Sequence, residues 1–138
     1  MRLKDCFKEG LLRKTKPSKQ YAIKSLQASI HSIDKAKDNL EMKNNDIVLF
    51  CSYTSMFHAA RALLFKDGIK ERSHICIVSY LKEAHPNMRQ MANKLDSYRR
   101  TRHNTLYALD FLINDEEANQ AIRDAEKFYE IIKKVVEK

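Results

Sequence analysis

Hydrophobic positions recur along this chain with helical rather than strand spacing. Between Lys19 and about Asn39, the residues Ile23, Leu26, Ile30, Ile33 and Leu40 keep an a/d rhythm with polar residues between them. This predicts an amphipathic helix with one narrow apolar seam. Lys16-Pro17-Ser18 precedes it, and Ser18 is placed to cap its first turn. Nearer the start, Leu3, Phe7 and Leu11 predict a short helix within residues 2–14, interrupted at Gly10. Residues 46–66 differ in kind. Apolar side chains from Ile47 to Phe65 cover most of the circumference, and after Asp46 only Arg61 and Lys66 carry full charge. A helix apolar nearly all round belongs in the middle of a bundle. Lys43 to Asp46 form the turn and cap before it, and Gly68 is a left-handed cap after it.

A shorter helix is predicted from about Ser73 through Ile75, Cys76, Val78 and Leu81. His85-Pro86 breaks it, and Pro86 suits the first turn of the next. That next helix runs to about Leu109 on a seam of Met88, Met91, Leu95, Tyr98, position 102, Thr105 and Leu109, so that Arg102 falls among core positions. Asn114 to Glu117 read as a capping box. The last helix uses Ala118, Ala121, Ile122, Ala125, Phe128, Ile132 and Val135. No segment alternates convincingly with a period of two, and no repeat or linker divides the chain. The expected fold is all-α: one domain over residues 1–138, an antiparallel up-and-down bundle of four long helices plus one or two short ones.

Composition narrows the class. A chain of 138 residues is one domain's worth. Gly 2 and Pro 2 are too few for an all-β protein or for a doubly wound domain with Gly-rich phosphate loops. A hydrophobic share of 43% is too high for a disordered chain. No apolar run approaches the ~20 residues that span a bilayer, and no apolar stretch follows the basic N-terminus as in a signal peptide. The expectation is a cytoplasmic protein with no membrane partner. Cys6, Cys51 and Cys76 are widely spaced, with no C-x-x-C pair and no His spacing that suggests zinc, so they are expected to be buried free thiols, with no metal and no cofactor.

Charge changes the picture of partners. The formal net charge is +8. Residues 1–24 hold eight basic and two acidic residues, residues 82–103 six and two, and residues 110–130 two and seven. Such asymmetry permits nucleic acid or an acidic protein as partner. Composition alone favours an ordinary solvated Lys-rich surface.

Candidate chemistry gathers in the run Tyr98 to Tyr107. On a helix, Arg99, His103 and Tyr107 line up at i, i+4 and i+8, and Arg102 flanks that line while lying on the core-facing seam. A buried unpaired guanidinium costs several kcal/mol, of the order of ~3–5 when a partner is lacking. Arg102 therefore needs an acidic partner, a wet cleft or a bound anion. The helix of residues 46–66 offers His58 and Arg61 on one face. Two helices aiming Arg and His inward make a cationic cleft suited to phosphate. Taken singly, each residue has a structural alternative. Asp96 or Asp110 can pair with Arg102, and His58 can be a hydrogen-bonded core residue.

The run Tyr53-Thr54-Ser55-Met56-Phe57-His58-Ala59-Ala60-Arg61-Ala62-Leu63-Leu64 resembles the central-helix signature of small HEPN-domain proteins. In these, a loop with a basic residue and His follows, here Lys70-Glu71-Arg72-Ser73-His74, and then an Arg-rich run before a Tyr, here Arg99 to Tyr107. The resemblance covers roughly residues 18–136. It implies an all-α bundle, a homodimer, and often a small nucleotidyltransferase partner in a two-component toxin–antitoxin module. Active members are metal-independent endoribonucleases, in which an Arg stabilises phosphate charge and a His moves protons. Arg102-His103 matches the start of their motif, but Tyr107 stands where its second His is expected. Arg99 as the start reaches His103 one residue early. The expected function is therefore RNA or nucleotide binding, or partnership with a nucleotidyltransferase. The ligand residues would be Arg99, Arg102, His103, Tyr107, His58 and Arg61, and the catalytic motif is degraded, with Arg102, His103 and Tyr107 its remaining candidates. An active ribonuclease and a purely structural interaction module are the alternatives.

Overall fold

The structure, a computed structural model, describes residues 1–107 and 112–138, with Tyr107 described in its backbone only. In chain order its elements are α1 (Leu3–Lys8), β1 (Leu12–Lys14), α2 (Lys19–Glu41), α3 (Asn45–Asp67), β2 (Ile69–Glu71), α4 (His74–Ala84), a 3-10 turn (Pro86–Met88), α5 (Arg89–Tyr107) and α6 (Asp115–Val136). The four long helices form the expected bundle. α3 lies in the middle, against α2, α6, α5, α4 and β2, and buries Val48, Leu49, Met56, Ala59, Ala60 and Leu63. Although no unbroken apolar run approaches the length of a bilayer span, it is long and apolar enough to cross a membrane by length and composition, and most of it is buried inside the bundle.

The caps are local and readable. Ser18 Oγ accepts the Tyr21 N–H at 3.1 Å. Asn114 and Glu117 make the reciprocal capping box. Gly68 ends α3 with φ 79°, and a Cβ there would lie 2.6 Å from the Thr15 carbonyl oxygen. Both the backbone and the space require glycine.

Four expectations need correction. The first is the seam of α2. Ile23 and Ile30 are 45% and 41% exposed, while Ala22, Ser25, Leu26, Ser29, Ile33 and Ala36 are buried. Small residues let α2 approach α3 closely, and their hydroxyls bond across the contact: Ser29 Oγ donates to the Ser55 carbonyl at 2.8 Å and Ser25 Oγ to the His58 carbonyl at 2.6 Å. Hydrophobic size alone pointed to the neighbouring face.

Secondly, the helix expected within residues 2–14 is only α1. Gly10 at φ 72° turns the chain into β1, which pairs antiparallel with β2: Leu12 opposite Glu71, Arg13 opposite Lys70, Lys14 opposite Ile69. Strands of three residues are too short for alternation to show. Thirdly, Cys6 and Cys76 are not free thiols. They form a disulfide, because α1 packs on α4 and brings together two residues 70 apart in sequence. Cys51 is free and half-buried. Lastly, the helix expected from Pro86 to Leu109 opens as the separate 3-10 turn. Met88, Ala92 and Leu95 are buried, whereas Met91, Tyr98, Arg102 and Thr105 are half-buried. Leu109 lies outside the described residues.

Candidate functional site

Three segments distant in sequence meet beside the middle of α3. Tyr53, Thr54, Phe57 and His58 from α3, His74 from the first position of α4, and Arg102 from α5 line a cavity of about 210 Å³. Each side chain has a local reason for its place. The Ser25 hydroxyl binds the α3 backbone at His58. Ser73 caps α4 by accepting the Cys76 N–H at 3.3 Å, which fixes where His74 starts. One turn before Arg102, Tyr98 donates to Asp124 at 2.6 Å and ties α5 to α6.

The Arg102 guanidinium lies 5.7 Å from the centroid of the Tyr53 ring, a cation–π distance. Among the described residues no carboxylate pairs with it. The structural alternative offered Asp96, but that carboxylate is taken by Arg99 Nε at 3.0 Å and Arg100 at 3.3 Å. Asp110, the other alternative, lies outside the described residues. The Tyr53 hydroxyl is 2.6 Å from His74 Nδ1. The Phe57 ring stacks on His74 at 4.1 Å and meets His58 edge-on at 5.9 Å.

Burial and charge set the protonation states. Burial pushes the Tyr53 phenol up to about 12, against the pull of Arg102 and Arg99. The phenol therefore stays protonated at neutral pH. The pair is satisfied when it donates to Nδ1, which puts the His74 ring proton on Nε2. Burial lowers the His74 pKa, helped by Arg102, Arg99 and Arg61. Burial also lowers that of His58, helped by Arg61. At neutral pH the site thus holds one permanent cation and two neutral imidazoles. Such a set offers a guanidinium fork and ring N–H donors, the groups that suit a phosphate oxygen.

The expected site residues separate into three places. Arg102 and His58 share the cavity described. Arg99 and His103, with Arg100 and Asn104, line a neighbouring cavity of about 250 Å³, and His103 is exposed. Arg61 points elsewhere: its Nε lies 2.7 Å from Glu71 Oε1, off the line of a hydrogen bond, and its guanidinium sits 5.7 and 5.3 Å from the Phe57 and Phe65 rings. The Tyr107 side chain lies outside the described residues. Tyr53, Phe57 and His74 were not singled out from the sequence as site residues. The spacing of Tyr53, Phe57 and Arg61 at i, i+4 and i+8 was the available signal for the first two. His74 had none beyond its place in the family motif. Among the described residues, no three His, Cys, Asp or Glu side chains gather as a metal set.

The bundle aims an arginine and two imidazoles at one aromatic-walled cleft. The HEPN domain model matches residues 22–135, from the first turn of α2 to the last of α6, and the chain belongs to the HEPN domain family. Membership points to a nucleotide- or RNA-related function. A comparison with curated proteins finds no match to the chain.

Proposed function

We propose that this protein binds the phosphate groups of RNA or nucleotides in the Arg102 cleft. It does so as a cytoplasmic homodimer that partners a small nucleotidyltransferase in a two-component, toxin–antitoxin-type module. The observation that carries the binding reading is Arg102 itself: a half-buried guanidinium over the Tyr53 ring, with no carboxylate partner among the described residues and with His58 and His74 beside it. The assembly and the partner rest on the family and on the opposite charge of residues 82–103 and 110–130. In the cytoplasm the Cys6–Cys76 pair faces a reducing pool.

Strong RNA cleavage is not part of this reading. Tyr107 takes the place of the motif's second His, and a phenol of ordinary pKa near 10 is a poor proton shuttle at neutral pH. Equilibrium binding to labelled RNA tests the proposal. Arg102→Ala should weaken binding by about tenfold or more, the scale of one charge-assisted contact. Arg102→Lys should restore only part of it, because an ammonium lacks the bidentate fork. Unchanged binding in Arg102→Ala overturns the reading. Robust metal-independent cleavage of RNA by the wild type would make the protein an enzyme instead.

A further inference from the structure

Lys70 stands where two features meet. In the β1–β2 ribbon it lies directly opposite Arg13, and both side chains are exposed. Residues paired across a ladder share a face, so two cations project together about 5 Å apart, which destabilises a ribbon unless an anion lies over it. Arg72 extends the row: its N–H still bonds to the Leu11 carbonyl at 2.8 Å, and alternation puts its side chain on the side of Lys70. Among the described residues none of Arg13, Lys70 and Arg72 makes an ion pair.

Lys70 also lines a cavity of about 560 Å³ together with Lys16, Ser18, Tyr21, Arg61 and Phe65. That volume is within the range of sites that hold a small ligand. Its rim is fixed by the backbone: the Thr15 N–H donates to the Gly68 carbonyl at 2.8 Å and the Ser18 N–H to the Phe65 carbonyl at 2.9 Å, with Pro17 between them. Tyr21 leans on Phe65 with ring centroids 5.6 Å apart and is 55% exposed. An exposed aromatic ring beside lysines is how proteins hold single-stranded nucleic acid, the base on the ring and the phosphate on the cation.

A short stretch of chain links this cavity to the Arg102 cleft. The segment Lys70-Glu71-Arg72-Ser73-His74 has its first residue in one and its last in the other. Glu71 holds Arg61, which lies against the Phe57 ring that stacks on His74. Along α3, Phe57 and Phe65 are separated by about 12 Å of helix, short enough for a single strand of a few nucleotides to reach both places.

We propose that one strand of RNA occupies both. A phosphate sits at Arg102, the strand follows residues 70–74, a base stacks on Tyr21, and Arg13, Lys70 and Arg72 track the backbone over the ribbon. The inference rests on the Arg102 reading and deepens it: the ligand is a single-stranded oligonucleotide rather than a mononucleotide. The net charge of +8 is of the sign such a ligand requires.

The test uses the full chain, fluorescence anisotropy, and two probes: a labelled oligouridylate of about eight nucleotides, a typical single-strand site size, and unlabelled uridine monophosphate as competitor. The wild type should hold the oligomer far more tightly than the monophosphate. The double variant Arg13→Ala/Lys70→Ala should bind the oligomer about tenfold more weakly, with a log–log salt slope smaller by about 1.4, the loss of two phosphate contacts on a single strand. Tyr21→Ala should weaken it by about fivefold or more. The double variant should melt no lower than the wild type, because it removes the repulsion between two exposed cations, and Tyr21→Ala should melt only slightly lower, because it loses one half-exposed ring contact. If the double variant and Tyr21→Ala bind the oligomer as the wild type does while Arg102→Ala does not, the strand path is wrong and the Arg102 site stands. Equal affinity of the wild type for monophosphate and oligomer also overturns the path. Failure of the wild type to bind either probe overturns the Arg102 reading itself.

Discussion

Arg61 and Arg102 stand at the two ends of one aromatic strip, and the protein treats them differently. Arg61 lies against Phe57 and Phe65, and Arg102 against Tyr53. The Tyr53 and Phe57 rings are 6.4 Å apart. Glu71, whose side chain is only 16% exposed, comes within 2.7 Å of Arg61. Among the described residues nothing comparable reaches Arg102. The first arginine is neutralised and joins α3 to the β1–β2 ribbon. The second has no carboxylate partner among the described residues. Whether an inward-facing arginine is neutralised thus depends on whether a carboxylate arrives from another segment, and the arginine's own helix does not decide it.

The largest effect should come from the packed side of α3, on which both arginines depend. Leu63 is fully buried, so Leu63→Ala should cost about 2–5 kcal/mol in a urea titration. A loss under ~1 kcal/mol would mean that α3 is not the centre of the bundle. Next comes Arg61→Ala, which strands the mostly buried Glu71 carboxylate and should cost about 1–3 kcal/mol. Glu71→Gln should cost less, because its amide keeps an acceptor near Arg61. A destabilisation by Arg61→Ala no larger than that of Arg102→Ala would erase the distinction between the two arginines. Arg102→Ala removes only a partly exposed cation–π contact, worth about 0.5–1 kcal/mol, and should leave the melting curve nearly in place while binding falls.

The imidazoles beside Arg102 add a pH dependence. The folded pKa values of His58 and His74 lie below their ordinary value near 6.5. The unfolded chain therefore binds their protons first as the pH falls. Their contribution to stability is complete above about pH 6.5 and declines below it, toward the folded midpoints. RNA affinity should move the other way. Protonating either imidazole adds positive charge beside Arg102, so binding should tighten between neutral and mildly acidic pH. Affinity that is flat across that interval would place the phosphate away from these rings.

Much of the fold was legible because its signals are local. Ser18, Gly68, and Asn114 with Glu117 mark helix ends through contacts within a few residues, and the all-round apolar character of α3 placed it at the centre. The face of α2 was misread, since Ser25 and Ser29 carry no hydrophobic signal and are buried by close helix contact and hydroxyl bonds. The disulfide and the ribbon depend on segments far apart in sequence, and so does the site. Arg102 and His58 could be singled out from seam position and family motif. That Asp96 turns to Arg99 and Arg100, that Glu71 turns to Arg61, and that His74 meets Tyr53 are outcomes of packing, and no periodicity encodes them.

A phosphate seated between Arg102, His58 and His74 would be felt by both imidazoles, so the decisive experiment titrates uridine monophosphate into the protein and follows the imidazole resonances by NMR. The His58 and His74 signals should shift together and saturably, and Arg102→Ala should abolish both shifts while the protein remains folded. Unmoved His58 and His74 signals at saturating ligand, or shifts that persist in Arg102→Ala, would contradict that placement of the phosphate.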